Sequence, residues 1–264
     1  MRSGRKIVNA GRAGLLVLGV ALLAPIAEGA AAPYQVLYNF CSQDGCADGA
    51  YPGSSLIMDG AGNLYGTTYQ GGFGQKGVVF KLAPDGTETV LYNFCSQSGC
   101  TDGANPGGGL VMDAAGNLYG TTQYGGDPSC YPGFGCGTAF KLAPDGTETV
   151  LYNFCSSGCT DGADLASSLI IDGAGNLYGT TYRGGGLFNK GVVFKLAPDG
   201  TETVLYNFCS QSGCADGADL ASSLIMDGAG NLYGTTYQGG SGGSGVVFMV
   251  APGAGSANQT AGSR

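Results

Sequence analysis

The chain has 264 residues with 43% apolar content, 52 glycines and a formal net charge of −8, and it contains no histidine and no tryptophan. The lack of histidine excludes a Ser-His-Asp triad, a histidine general base and every histidine-ligated metal site. An acidic chain repels phosphate backbones, so we expect no nucleic-acid partner. The length and apolar content allow one large all-β domain or two smaller domains.

The amino-terminal segment has the pattern of a secretory signal peptide. A basic start with Arg2 and Arg5 precedes an apolar run over residues 14–27, and small residues follow up to Ala31. This run is shorter than the roughly 20 residues that a membrane-spanning helix needs, which favours cleavage after Ala31 over an anchor. We therefore expect a secreted or cell-surface bacterial protein without a membrane span in its mature chain. The expected organisation is a signal peptide at 1–31, one domain at 32–252 and a flexible tail at 253–264.

The main signal is an internal repeat. The string LYNFC begins at Leu37, Leu91, Leu151 and Leu205. The string GNLYGTT begins at Gly62, Gly116, Gly175 and Gly230. A period of about 54 residues indicates stacked supersecondary units, because a single unit of this kind cannot bury its own apolar face.

Each period is predicted to contain four short strands, here called a to d. In the first period these are residues 54–59, 63–69, 77–82 and 87–94. Strand c has apolar residues on both of its faces, with Val78 and Phe80 on one and Val79 on the other. Sheets covered on both faces are typical of a β-propeller, and a β-solenoid is the alternative. We expect almost no helix, since no segment has a 3.6-residue apolar period.

The strand count predicts how the ring closes. The domain begins with a lone strand d over residues 34–40 and ends with a lone strand c over residues 245–250. Pairing these two strands would give an all-β propeller of four blades, each with four antiparallel strands, and would hide a sheet edge. Two chains that together close one eight-bladed ring are the alternative, so the expected state is a monomer or a ring-completing dimer.

The repeated unit resembles a known family. The pattern L-x-x-D-x-x-G-N-L-Y-G-T-T, followed by V-F-K-L-x-P-D-G-T-E-T-V-L-Y-x-F, is similar to the GloVer tandem repeat of bacterial exported proteins, and the similarity extends from Tyr34 to Pro252. The resemblance implies a propeller of an extracellular or surface protein, and it implies no particular activity. Members often carry a carboxyl-terminal anchor, whereas residues 253–264 here are small and polar.

The ten cysteines are predicted to pair locally, because an exported chain meets an oxidising compartment. The expected pairs are Cys41–Cys46, Cys95–Cys100, Cys130–Cys136, Cys155–Cys159 and Cys209–Cys214. The alternative is a zinc site, which would need two cysteine pairs from different blades to converge. No pair has the C-x-x-C spacing of redox enzymes.

Candidate ligand-binding residues lie in the b–c and d–a loops, which share one rim of a propeller. Loops on a rigid scaffold commonly carry binding function. The residues that break the repeat symmetry include Asp127, Tyr131, Phe134, Arg183 and Phe188. Tyrosines near the ends of strand b could stack on sugars or pack between blades: Tyr69, Tyr124, Tyr182 and Tyr237. Arg183 could hold a carboxylate or a sulfate, or could simply be solvated.

The aspartates form repeated sets for which turn capping is the expected role. One set ends strand a (Asp59, Asp113, Asp172, Asp227) and one lies in the c–d turns (Asp85, Asp145, Asp199). The d–a loops hold Asp161 with Asp164 and Asp216 with Asp219, which are calcium candidates, although the EF-hand spacing is absent. No cofactor and no catalytic residue is predicted.

The sequence therefore favours an exported, non-catalytic propeller that binds a glycan or a protein partner. One alternative is a propeller enzyme acting on carbohydrate or lactone-like substrates. The other is a structural envelope or extracellular repeat protein.

Overall fold

A computed structural model describes residues 34–252, except 131–133, 156–157, 166 and 221. The chain divides into two compact units, Met1–Val36 and Leu37–Arg264. The first unit is described only at Tyr34, Gln35 and Val36, which are exposed and have no regular secondary structure. The predicted signal peptide (1–31) and tail (253–264) lie outside the described residues.

The described part of the second unit is all-β with three short 3₁₀ helices, which confirms the prediction of an all-β chain with almost no helix. The strands are β1 (Ile57–Met58), β2 (Leu64–Thr68), β3 (Val78–Leu82), β4 (Glu88–Asn93), β5 (Ala104–Pro106), β6 (Val111–Met112), β7 (Leu118–Tyr124), β8 (Thr138–Leu142), β9 (Glu148–Asn153), β10 (Ile170–Ile171), β11 (Leu177–Thr180), β12 (Val192–Leu196), β13 (Glu202–Asn207), β14 (Ile225–Met226), β15 (Leu232–Thr235) and β16 (Val247–Val250). The 3₁₀ helices are Asp44–Cys46, Ser98–Cys100 and Ser212–Cys214. Among the described residues, no helix is long and apolar enough to cross a membrane.

The strands form four antiparallel sheets, one for each predicted repeat. Sheet 1 is β1-β2-β3-β4, sheet 2 contains β5 to β9, sheet 3 is β10-β11-β12-β13, and sheet 4 is β14-β15-β16. Each of sheets 1 to 3 follows the predicted order of strands a to d. The pairing of strands c and d shifts register once in each of these sheets, as between Val79 and Phe80 in sheet 1.

The turns explain why the strands end where they do. After strand a of sheet 1, Asp59 accepts hydrogen bonds from the Asn63 side chain (2.7 Å), the Asn63 amide (2.9 Å) and the Tyr65 hydroxyl (3.0 Å). These bonds, the Asn63 side chain first, lower the pKa of Asp59 to about 2. In the c–d turn, Asp85 accepts a bond from the Thr87 amide at 2.9 Å. The other repeats make the same bonds, so the predicted capping role of both sets is confirmed.

Sheet 4 departs from the expected four strands. The described residues 34–40 do not form a strand, and among the described residues no strand pairs with the outer edge of β16. Phe40 lies against Phe80 of sheet 1 with ring centroids 4.8 Å apart, and the Tyr38 hydroxyl donates to Asp48 at 2.9 Å, which are the contacts that the later copies of this string make with the next sheet. The expected closing strand is therefore not formed by the described residues 34–40.

The core lies between successive sheets. The phenylalanine that follows each strand d packs edge to face on the strand-c phenylalanine of the next sheet. The ring centroids are 5.0 Å apart for Phe94–Phe140, 4.9 Å for Phe154–Phe194 and 4.8 Å for Phe208–Phe248. Leucines, valines and alanine of the two facing sheets surround these rings.

The glycine of the GNLYGTT string is required by this packing. A Cβ atom at Gly120 would lie 2.7 Å from the Phe140 ring and 3.0 Å from the Leu110 side chain. Neither neighbour can retreat, because Phe140 and Leu110 are themselves buried between sheets 1 and 2. The repeated glycine therefore lets the inter-sheet leucine and phenylalanine pack closely against strand b.

We predict that Phe140→Ala destabilises the protein by about 3–5 kcal/mol, because it removes a fully buried ring from the contact between sheets 1 and 2. Urea unfolding would measure the loss. Phe134→Ala, which changes an exposed ring, is the control and should alter the stability by less than about 0.5 kcal/mol. Equal losses in the two variants would contradict the assignment of the core.

Candidate functional site

The b–c and d–a loops lie together on one side of the sheets, and we call this surface the loop rim. In sheet 1 the Gly72 amide of the b–c loop donates to the Cys46 carbonyl of the preceding d–a loop at 2.9 Å. Ala50 and Gln70 of the same two loops form a β-bridge. Matching bonds recur in the other repeats, so the two kinds of loop support each other.

Neighbouring repeats also meet on the loop rim. The amide of Asp164 donates to the Cys136 carbonyl at 3.2 Å, and the amide of Asp219 donates to the Lys190 carbonyl at 3.1 Å. Both aspartates have a positive φ of 58°, a conformation that asparagine and aspartate adopt more readily than most residues. The same position is Tyr51 in the first repeat and Asn105 in the second. Three different residue types thus occupy the four equivalent places on this rim.

Asp164 in the third repeat and Asp219 in the fourth each form an ion pair. Arg183 Nε lies 3.2 Å from Asp164 Oδ2, and Lys190 Nζ lies 3.2 Å from Asp219 Oδ1. Burial raises the pKa of Asp164, and the nearby Arg183 opposes this shift. Arg183 therefore has a carboxylate partner in this protein and is not simply solvated.

The calcium candidates have separate protein partners. Asp161 accepts a bond from the Tyr152 hydroxyl at 2.9 Å, whereas Asp164 pairs with Arg183. Asp216 accepts bonds from Tyr206 and Ser210, whereas Asp219 pairs with Lys190. Each of the four carboxylates therefore has a different protein partner.

Tyr69 joins the first repeat to the second on the loop rim. Its hydroxyl donates to the Gln123 side-chain carbonyl at 2.9 Å, and its backbone carbonyl accepts a bond from the Asn105 side chain at 2.9 Å. Burial raises the pKa of Tyr69, and Tyr124 and Asp164 add smaller contributions. Tyr69 therefore packs between repeats while its hydroxyl remains among polar groups of the rim.

The other predicted rim residues differ in exposure. Tyr182 and Tyr237 are exposed, and Tyr124 is half-buried with its ring 6.1 Å from that of Phe134. Asp127 caps a turn by accepting a bond from the Ser129 amide at 2.8 Å. Tyr131 lies outside the described residues.

Exposed apolar side chains also lie on the b–c loops, where the sequence singled out Phe134 and Phe188 but missed Phe73 and Leu187. Phe73 is 90% exposed, Phe134 64% and Phe188 63%, and Leu187 beside Phe188 is also exposed. These residues belong to three successive b–c loops. A sequence signal existed, since each aromatic residue is embedded in a glycine-rich loop where no strand or core would claim it.

A second feature is a buried carboxyl pair that recurs in three sheets. Each pair joins a d–a loop aspartate to the glutamate that begins strand d: Asp48 with Glu88, Asp102 with Glu148, and Asp161 with Glu202. In each pair burial, followed by the negative charge of the aspartate, raises the pKa of the glutamate to about 7. The aspartates are buried and accept a tyrosine hydroxyl at 2.9 Å in every repeat.

The pair in sheet 3 opens into a cavity of about 390 Å³. Asp161, Glu202, Tyr152, Thr160 and Asn207 provide its polar lining. An acid with a pKa near 7 beside a second carboxylate has the composition of a general acid and its partner.

All five predicted disulfides are present, and no described cysteine is free. Two of them converge: the sulfur atoms of Cys130, Cys136, Cys155 and Cys159 all lie within 4.8 Å of one another. The convergence that a zinc site would need is therefore met, but zinc binds thiolates, and these four sulfurs are consumed in disulfides. The Cys130–Cys136 insertion and the shortened Cys155–Cys159 loop meet at the same point of the loop rim.

The comparisons with known proteins identify the repeat. The family model described as Gloeobacter/Verrucomicrobia repeat matches residues 27–185 and 133–262, which together cover most of the chain. This match confirms the resemblance drawn from the repeated strings. No curated protein matches the chain.

Solved structures give only distant similarities. A protein assigned as a gluconolactonase has 15% identity over 75% of this chain and 59% of its own, with a TM-score of 0.43. A luciferin-regenerating enzyme has 15% identity over 75% of this chain and 60% of its own, with a TM-score of 0.45. An endo-arabinase from Bacteroides thetaiotaomicron has 17% identity over 77% of this chain and 76% of its own, with a TM-score of 0.42. The chain thus spans about three fifths of the length of the first two proteins.

The raised glutamate pKa values predict a pH-dependent stability. An unfolded glutamate titrates near 4.5, so the buried neutral form stabilises the fold fully below that pH, and this contribution is lost as the pH rises to about 7. Glu148→Gln should therefore lose less of its thermal stability than the unmodified protein between pH 5 and pH 8, by several degrees in Tm. Asp44→Asn, at an exposed carboxylate, is the control. Parallel Tm curves for Glu148→Gln and the unmodified protein would contradict the prediction.

The four converging sulfurs predict disulfide exchange. In Cys136→Ser the free Cys130 thiolate should attack the Cys155–Cys159 bond, forming a disulfide from Cys130 to one of these cysteines and releasing the other as a thiol. Peptide mapping without reduction would identify the new linkage. In the control Cys46→Ser, Cys41 has no second disulfide in such a cluster among the described residues and should remain a free thiol. An intact Cys155–Cys159 bond with free Cys130 would refute the prediction.

Proposed function

This chain belongs to the Gloeobacter/Verrucomicrobia repeat family, and from that premise we propose that it is an exported, non-catalytic propeller whose loop rim binds glycans. The four sheets act as its blades. Five disulfides support a role in an oxidising, extracellular environment. We further propose that residues 1–31 direct the export.

The observation that carries this proposal is the row of solvent-exposed rings on the loop rim. Phe73, Phe134 and Phe188 are exposed on three successive b–c loops, and Leu187 beside Phe188 is exposed as well. Exposing such rings costs free energy unless a partner covers them, so clustered exposed apolar residues commonly mark a binding surface. The fourth b–c loop contains only glycine and serine between Gln238 and Val246, so it contributes no large side chain to the loop rim.

Polar groups beside these rings favour a glycan over a purely apolar ligand. The Tyr69–Gln123 pair and the Arg183–Asp164 pair present hydroxyl, amide, guanidinium and carboxylate groups on the same rim. Sugars combine apolar ring faces, which stack on aromatic side chains, with hydroxyls that bond to such polar groups. Exposed Tyr182 and Tyr237 add two further stacking surfaces. A protein partner using the same rim is the alternative ligand.

We predict that the purified chain binds glycans on an array, and that Phe73→Ala, Phe134→Ala and Phe188→Ala combined weaken this binding at least about tenfold. Each lost stacking contact is worth ~1 kcal/mol, so three should exceed the 1.4 kcal/mol that corresponds to one decade. The matched control removes three exposed side chains of the c–d turns, on the opposite rim: Pro84→Ala, Pro144→Ala and Pro198→Ala. Equal binding by both triple variants would argue against the rim. Failure of every glycan, with capture of one defined protein by the rim, would favour the protein partner.

The cavity at Asp161 and Glu202 favours a second candidate, an enzyme acting on carbohydrate. Of the three carboxyl pairs, this one lines a cavity of about 390 Å³. Glu202, with its pKa of about 7, could donate a proton to a leaving group while Asp161 acts as the second carboxylate. Release of reducing sugar from oligosaccharides, whose sugar leaving groups need a proton, that is abolished by Glu202→Gln but not by Glu88→Gln would support the enzyme. A chain that neither binds nor hydrolyses glycans and captures no partner would fit the structural role.

A further inference from the structure

The last sheet has an open face where every earlier sheet is covered. Val79, Ala139 and Val193 hold equivalent places on strand c of sheets 1 to 3, and all three are fully buried by the next sheet. Val247 holds the same place in sheet 4 and is 81% exposed. Ile225 on strand a of sheet 4 is also exposed. We call this surface of sheet 4 the trailing face.

Polar contacts between the sheets follow the same pattern. The hydroxyls of Thr67, Thr121 and Thr180 each donate to a backbone carbonyl of the next sheet, at 3.0 to 3.2 Å. The equivalent Thr235 is exposed. The trailing face therefore carries the apolar and polar groups that form the three existing inter-sheet contacts, and its next sheet is missing.

The first sheet has the complementary open face. Leu110, Leu169 and Leu224 are buried where sheets 2, 3 and 4 pack on the sheet before them. Leu56, the equivalent residue of sheet 1, is 52% exposed, and Met58 beside it is also exposed. We call this surface of sheet 1 the leading face. Both halves of a fourth inter-sheet contact are thus present in one chain and are not joined to each other.

The outer edge of β16 is open as well. A cleft of about 310 Å³ lies along it, lined by Tyr206, Phe208, Asp216 and residues 246–250. In sheets 1 to 3 the string VLYN of strand d occupies the edge of strand c. The fourth copy of this string is at residues 36–39, and Phe40, which follows it, is anchored on Phe80 beside the leading face.

We propose that two copies of this chain close one ring of eight sheets, in which the trailing face of each copy packs on the leading face of the other. Residues 34–39 of each copy add to the β16 edge of its partner as the fourth strand. Each junction repeats the contact that already joins sheets 1 to 2, 2 to 3 and 3 to 4, so no new kind of interface is needed. Eight blades lie within the range of known propellers, whereas three copies would give twelve.

Tyr34, which aligns with the strand-d glutamates of sheets 1 to 3, supports the addition of residues 34–39 to the β16 edge of a partner. Matching the VLYNF strings places Tyr34 where sheets 1 to 3 have Glu88, Glu148 and Glu202. Asp216 lines the open cleft at the position of the aspartates that face those glutamates. A strand bringing tyrosine to Asp216 avoids the carboxyl–carboxyl repulsion present in the other sheets. The closing strand therefore joins sheet 4 without bringing a second carboxyl group beside Asp216.

The test is the molar mass of the purified, disulfide-bonded chain by light scattering after size exclusion, with the unmodified protein expected at twice the chain mass. Val247→Glu and Leu56→Lys should each give the single-chain mass, because each buries a charge in both junctions. Mixing these two variants should restore a dimer containing one chain of each kind, since one junction is then unmodified and the other pairs glutamate with lysine. Leu187→Glu, on the loop rim, is the matched control and should leave the dimer intact.

A single-chain mass for the unmodified protein would overturn the proposal and would favour closure of a four-sheet ring within one chain. A series of larger, concentration-dependent masses would also overturn it, because the junction would then propagate without closing. The proposal rests on the blade arrangement proposed above and is independent of glycan binding. A protein of single-chain mass that still binds glycans would therefore contradict only the proposed dimer. A dimer that binds no glycan would contradict only the proposed ligand.

Discussion

The contact on which the architecture depends is the edge-to-face packing of two phenylalanines from successive repeats. Phe94 follows the last strand of sheet 1, and its ring lies 5.0 Å from that of Phe140 in sheet 2. One ring thus belongs to the outer strand of one sheet and the core of the next. No repeat can bury its own phenylalanine completely, so each sheet needs its neighbour, which is the physical reason for a repeat architecture.

This dependence makes the ends of the array chemically different from its middle. A sheet in the middle has both faces covered, whereas Leu56 at the beginning and Val247 at the end keep in solvent the side chains that their equivalents bury. Exposed apolar faces and an unpaired strand edge promote association unless something covers them. The same interaction that orders the chain internally therefore also predisposes it to continue into a partner.

Repetition governs the scaffold, and departures from repetition are concentrated on the loop rim. The Asp–Asn–Tyr turn is nearly identical in all four repeats and only terminates strands. On the opposite rim, equivalent places hold Tyr51, Asn105, Asp164 and Asp219, and one repeat carries an additional disulfide. Unlike groups around a common scaffold create a surface that a single ligand can recognise, which four identical turns cannot provide.

The sequence alone determined the repeat, the order of strands, the local disulfides and the capping aspartates. These features depend on residues close together in the chain: Cys95 and Cys100 are five residues apart, and Asp59 bonds Asn63 four residues later. For the same reason the sequence singled out Phe134 and Phe188, and Phe73 could have been recognised from its glycine-rich surroundings. Near-identical copies made this local information unusually consistent.

Only the tertiary structure decided which distant residues meet. The approach of Cys136 to Cys155, and the burial that raises the pKa of Glu202 beside Asp161, depend on how one repeat packs on the next. The sequence predicted that residues 34–40 pair with strand β16 as a closing strand, whereas the described residues 34–40 form no strand. Strand count does not determine whether the two ends of the array reach each other, because that depends on how the sheets pack in three dimensions.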